Sequence, residues 1–253
     1  MFPRTLMALA FAMASAGAAA QSMTWSTGLE YSSGDYGGTE DIEDLYVPVT
    51  GRLDLDRVSL ELTVPYLSVR APAGTTVTDP GGEPIPGTGE TVTESGIGDV
   101  IAGMTIYDVV YLDNLDFALD LAGKVKFGTA DEDKGLGTGE NDYTLRTDIY
   151  KFVGQLTLVG SVGYKFRGDP AGADLDNVWL GSIGGIYAPR DRFRFGMFYD
   201  YRESALADSD ALSEVSAFAA RQLNDRFTLQ FYAFTGFSDS SPDWGAGILL
   251  QII

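Results

Sequence analysis

The chain has neither histidine nor cysteine in its 253 residues. Histidine is the side chain that most often moves protons in hydrolytic and acyl-transfer sites, so its absence removes most catalytic options and no enzymatic activity is expected. Without cysteine there is no disulfide and no thiolate metal site. Basic residues are also scarce: 17 Lys and Arg stand against 36 Asp and Glu, a net charge of −19 at pH 7. Such a surface repels phosphate backbones, which excludes nucleic acid as a partner. Beyond the N-terminus, no hydrophobic run reaches the ~20 residues that a membrane-crossing helix needs.

The N-terminus has its own pattern. Arg4 precedes an apolar run over residues 6–14, then small residues end in Ala18, Ala19 and Ala20 before Gln21. A positive start, a short apolar core and an Ala-x-Ala-like site describe a secretory signal peptide. Residues 1–20 are therefore expected to be a signal cleaved near Ala20, and 21–253 to form one exported domain.

What the remainder has in quantity is alternation. From Phe117 to Phe127, Phe117, Leu119, Leu121, Val125 and Phe127 fall on one side, and Ala118, Asp120, Ala122, Lys124 and Lys126 on the other. Successive side chains of a strand point to opposite faces, so one face is apolar and the other charged. The same code recurs in 156–167, with Leu156, Leu158, Val162 and Phe166 opposite Lys165 and Arg167. About twelve such strands, each ~10 residues long, suit a transmembrane barrel. They are expected near 23–33, 45–53, 58–69, 98–110, 117–127, 156–166, 178–188, 193–201, 212–222, 227–237 and 244–253, with one more returning from the loop after Phe127. Tight turns alternate with long polar loops such as 72–95, as they do when one rim faces the periplasm and the other faces outside; an even strand number leaves both termini periplasmic.

Aromatics mark the strand ends. Phe117, Phe193 and Phe227 follow tight turns, whereas Tyr31, Phe127, Tyr143, Phe166, Tyr201, Phe237 and Trp244 stand beside long loops. Rings favour the headgroup level, so the two rows predict two girdles. The fold class expected is all-β: an antiparallel up-and-down transmembrane barrel with its apolar faces in lipid.

Several stretches then resemble a known family. Gly96-Ile97-Gly98-Asp99-Val100, Lys126-Phe127-Gly128, the loop Gly135-Leu136-Gly137-Thr138-Gly139-Glu140-Asn141-Asp142-Tyr143 and Val162-Gly163-Tyr164 resemble the outer-membrane proteins of the phenol-degradation meta-pathway (MetA-pathway) family. The resemblance is good over 96–166. It implies a barrel in the bacterial outer membrane that passes small, often aromatic, compounds.

With the apolar faces outward, the opposite faces line a pore. That places Asp120, Lys124, Lys126, Arg146, Asp148, Lys165, Arg167, Arg194, Asp200 and Arg202 in the lumen, opposite Glu30, Glu61 and Glu214 with Asp54 and Arg52. A basic wall facing a more acidic one predicts a transverse field on solutes in transit; the alternative is that the charges pair and close a narrow lumen. Tyr107, Tyr150, Phe198, Phe218, Tyr232 and Phe234 also fall inward, with Tyr46, as contacts for an aromatic solute or as filling for a small barrel. The acidic loop 131–142 has Leu136 where a calcium loop has glycine and ends on Asp142 rather than Glu, so no dedicated metal site is expected. No cofactor is expected either. The partners expected are outer-membrane lipid, lipopolysaccharide and small solutes, with the barrel a monomer. A non-conducting structural or surface-binding barrel is the alternative to a channel.

Overall fold

The computed structural model describes residues 22–79, 82–190, 192–207 and 209–253, so the expected signal peptide lies outside the described residues. Strands β1 (Ser22–Gly34), β2 (Ile42–Leu55) and β3 (Val58–Pro72) form an antiparallel meander. Two short strands follow, β4 (Thr76–Val77) and β5 (Pro84–Ile85), which pair only with each other. Next come β6 (Thr91–Ile97) and β7 (Val100–Leu112), which pair with consecutive stretches of the same edge of β3 and so act as one interrupted wall strand. The wall continues through β8 (Phe117–Phe127), β9 (Asp142–Val153), β10 (Leu156–Phe166), β11 (Val178–Arg190) and β12 (Phe193–Arg202). It is completed by β13 (Leu212–Gln222), β14 (Phe227–Gly236) and β15 (Trp244–Ile252).

Strand β15 pairs with both β14 and β1, β1 with β2 and β2 with β3, so the main sheet closes on itself; among the described residues β6 has a ladder partner on one side alone, β3. Its thirteen strands, with β6 and β7 sharing one place, make a closed barrel of twelve wall strands. No described helix is long and apolar enough to cross a membrane; the crossing is made by strands, which in a closed barrel satisfy every backbone group among themselves.

The burial pattern is inside out relative to a water-soluble sandwich. Ile183, Leu145, Met197 and Leu121 are exposed on the outer face, at 67%, 62%, 61% and 41% of their surface, while Asp148 and Gln230 are fully enclosed. Phe127, Tyr143, Phe166, Tyr201, Phe237 and Trp244 are exposed at the long-loop rim, and Tyr31 meets Trp244 at 5.5 Å between ring centres. Phe227 is exposed at the turn rim, joined there by Trp25 and Tyr111. The outer surface is therefore an apolar belt with aromatic margins, the arrangement a bilayer solvates.

Two expectations about the chain between β3 and β7 need correction. The strand expected at 98–110 begins earlier, at Thr91, breaks at Gly98 and Asp99, and runs on to Leu112. The break comes where the Asp99 carboxylate turns away to bind loop backbone, accepting from the Thr129 and Ala130 N–H groups at 3.0 and 2.9 Å. The loop expected over 72–95 is shorter than that, because β3 extends to Pro72 and β6 starts at Thr91, and it carries the β4–β5 pair.

Inside the barrel, large rings lie flat against glycines on neighbouring strands. Phe218 faces Gly196 in register, and a Cβ added to Gly196 would stand 2.2 Å from the Phe218 ring. Phe234 over Gly245 repeats the device, with 2.1 Å between the ring and such a Cβ. Gly196→Val is accordingly expected to displace Phe218 at the overpacking cost of roughly 1–3 kcal/mol, seen as a lower temperature for the folded-to-unfolded band shift on gels.

Candidate functional site

Ladder register stacks the inner face of β8, β9 and β10 into layers. From the long-loop rim downward on β8 and β9 they are Lys126 beside Asp142, Lys124 beside Thr144, Ala122 beside Arg146, Asp120 beside Asp148 and Ala118 beside Tyr150. Strand β10 continues them with Lys165 beside Thr144, Gly163 beside Arg146, Ser161 beside Asp148 and Val159 beside Tyr150. The period of two delivers these residues to the lumen without further help from packing.

The charged residues expected in the lumen come from several wall strands, on the side turned away from the exposed apolar residues. Glu30, Asp120, Lys126, Arg146, Asp148, Lys165, Arg167, Asp200, Arg202 and Glu214 are buried there, and Arg194 is half-buried near the turn rim on the face of Asp200. Lys124 and Glu61 line a small cavity of about 40 Å³ with Arg52 and Arg146. Of the aromatics, Tyr150, Phe198 and Phe218 pack into one apolar cluster with Tyr232 against it, and the Phe198 and Phe218 rings stack at 6.4 Å. Phe234 is buried on the same inner wall. The Tyr232 hydroxyl donates to Glu30 at 2.5 Å. Tyr107 donates to Ser59 at 2.9 Å and accepts from Arg52. The inward rings thus serve first to line the wall.

The lumenal charges do not face one another across an open bore as separate basic and acidic walls. Asp148 pairs with its own strand neighbour Arg146 at 2.9 Å, and Asp54 with Arg52 at 2.9 Å. Asp120 accepts from the Asp108 N–H at 2.9 Å, where β7 bulges between Ile106 and Val110. Near the long-loop rim, Lys126 donates to Asp99 at 3.0 Å, to Thr138 at 3.2 Å and to the Thr78 carbonyl at 3.2 Å, with Asp142 at 3.4 Å. Asp99, Lys126, Thr138 and Asp142 all belong to the stretches quoted above for their family resemblance, so motifs separate in sequence meet at one ammonium group.

Beside this node lies a residue that alternation did not reveal. Asp79, from the loop after β4, enters the lumen and is surrounded by Lys165 at 2.6 Å, Arg167 at 3.1 Å and Arg202 at 3.3 Å. Burial by itself would raise this carboxyl, but Lys165, Arg167 and Arg202 outweigh it and hold the group well below the usual carboxylate range. A depressed carboxyl keeps its contribution until pH falls through the depressed value, so the contact is intact through neutral and mildly acidic conditions. Glu83 follows it inward, accepting from the Ser204 hydroxyl at 2.7 Å and the Ala205 N–H at 3.1 Å. The signal available in the sequence was only the length and Pro-Gly-Thr richness of this loop.

Among the long loops is a vestibule of about 420 Å³, lined by Tyr36, Ile42, Pro72, Thr75, Glu83 and Leu206 among others. It shares no lining residue with the small cavity at Lys124.

A family model described as "Putative MetA-pathway of phenol degradation" matches residues 44–252. Among solved structures, an outer membrane channel from Pseudomonas putida F1 superposes with a TM-score of 0.72 at 12% identity, covering 93% of this chain and 96% of its own. The NanC porin gives 0.60 at 9% identity over 92% and 100%, and the KdgM porin 0.55 at 9% over 91% and 98%. These likenesses, at such low identity, establish the twelve-strand barrel fold. No curated protein matches the chain.

Proposed function

Because that match spans most of the chain, the protein belongs to the phenol-degradation MetA-pathway family, and from this premise we propose that it is an outer-membrane channel for passive diffusion of small solutes, aromatic or hydrophobic compounds among them. The observation that carries the reading is the division of the lumen. A vestibule opens at the long-loop rim, charged side chains line a separate small cavity at Lys124, and the Asp79 carboxylate, carried by a loop, is inserted among the wall cations Lys165, Arg167 and Arg202. A plug built only for stability would be expected from wall residues packed against each other, whereas a loop can leave. The barrel works as a monomer in lipid and lipopolysaccharide, and no cofactor takes part.

Single-channel recording of the refolded protein in planar bilayers tests this. Discrete conductance steps are expected, and Lys124→Glu, which reverses a charge beside Arg146 and Glu61, is expected to shift ion preference toward cations without harming assembly. A folded barrel that stays electrically silent would favour the plugged, surface-binding alternative, which the enclosed Asp79 layer also supports.

A further inference from the structure

The cations around Asp79 come from the barrel wall and the carboxylate comes from a loop. Lys165 lies on β10, Arg167 just beyond it and Arg202 ends β12, whereas Asp79 is 86 to 123 residues away in sequence from these partners. The Arg167 and Arg202 side chains are 0% and 3% exposed, so both guanidinium groups are held out of water. Their donors exceed the acceptors they meet. Among the described residues, Arg167 Nε and Nη1 and Arg202 Nε and Nη2 have no hydrogen-bond acceptor. Asp79 therefore satisfies only part of a fixed arrangement of N–H groups whose fork geometry suits a carboxylate.

We propose that Lys165, Arg167 and Arg202 form a binding site for the carboxylate of a small organic acid, occupied in this closed state by the Asp79 carboxylate as a built-in stand-in for the ligand. An incoming acid competes with Asp79 for the same donors, and its arrival frees the loop from its strongest polar tether to the wall. The vestibule at the same rim, lined in part by Glu83 of the loop that carries Asp79, has room for an aromatic or short aliphatic body, and Tyr36, Ile42, Pro72 and Leu206 offer it apolar surface. Among the described residues, the loop is also held by Glu83 to Ser204 and Ala205, the Val77 N–H to the Gly135 carbonyl at 2.8 Å, the Thr78 carbonyl to Lys126, and the packing of Val77 and Ile85 against the apolar clusters at the rim. The acidic outer loops do not prevent this, because exposed charges are screened beyond about 8 Å at physiological ionic strength. The proposal rests on the channel reading for its consequence, release of the loop, but the binding site stands or falls independently.

The experiment compares benzoate with benzamide, its uncharged isostere, on the folded barrel. Calorimetric titration in detergent measures binding, and planar-bilayer recording measures opening. With Asp79→Ala the built-in competitor is gone, and benzoate is expected to bind roughly tenfold more tightly than to the wild type, as when a binding-competent state rises from a tenth of the population to nearly all of it. Benzamide is expected to bind neither protein measurably. If Asp79→Ala does not fold, the isosteric Asp79→Asn serves in its place. Adding Arg167→Gln to the Asp79 variant is expected to weaken benzoate at least tenfold. Equal affinity for benzoate and benzamide, or no gain on removing the Asp79 carboxylate, overturns the proposal even if the protein conducts. Benzoate-selective binding by a barrel that never conducts upholds the site and overturns the channel reading instead.

Discussion

Lys126→Met is expected to loosen the whole long-loop rim while leaving the barrel wall assembled. Methionine keeps the apolar stem and removes the ammonium group, which is where the loop carrying Thr78, the β6–β7 break at Asp99, the loop carrying Thr138 and the start of β9 at Asp142 converge. Lys126, Asp99 and Asp142 are each at most 4% exposed in their side chains, so removal of the cation leaves two carboxylates without it in a poorly solvated place. Breaking a buried pair in this way costs roughly 3–5 kcal/mol. The lower end applies, since Asp142 keeps Lys165 at 3.0 Å and Asp99 keeps its two loop N–H groups. Trypsin supplies the measurement, because Lys134 lies in the loop that Lys126 restrains. Cleavage after Lys134 that requires opening of the loop should accelerate about a hundredfold for ~3 kcal/mol, with the gel shift of the folded barrel retained. An unchanged cleavage rate would mean that the node does not hold the loops.

Leu121→Arg is expected to block assembly through the opposite face. Leu121 sits in mid-strand, in register with Ile106 and Thr147, and is 41% exposed on the apolar belt. An arginine at the bilayer midplane of a barrel costs roughly 2–4 kcal/mol, enough to reduce folding into lipid vesicles severely in a marginally stable wall. Lys124→Glu, three residues on and on the inner face, is the control that should fold normally. Folded fractions in vesicles, read from the heat-dependent gel shift, decide the matter. Equal assembly of the two variants would contradict the assignment of faces.

The same pair of residues shows why the wall was legible. Leu121 and Lys124 stand on opposite faces because strand side chains alternate, and a bilayer outside with a polar lumen inside converts that alternation into a chemical code. Asp120, Lys126, Arg146, Asp148, Lys165 and Arg202 could therefore be placed in the lumen without knowing their partners. The partners were another matter. Arg146 meets Asp148 two residues along its own strand rather than an acid across the bore, so the transverse field expected from composition is largely spent in local pairs. Tyr150, Phe198 and Phe218 were legible as inward but not as a packed wall cluster, because flat seating on Gly184 and Gly196 depends on cross-strand register.

By itself the sequence determined the class of object: a closed antiparallel barrel, turned inside out, with two aromatic margins, a charged lumen and no histidine or cysteine chemistry. Those properties follow from a local period and from composition, and neither requires knowing which distant residues meet. Only the tertiary structure decided what occupies the mouth of the lumen. Asp79 reaches Lys165, Arg167 and Arg202, and Asp99, Thr138 and Asp142 converge on Lys126, through loops with no repeating pattern. A loop's path is set by the sum of a few long-range contacts, and no local rule encodes where it returns to the wall.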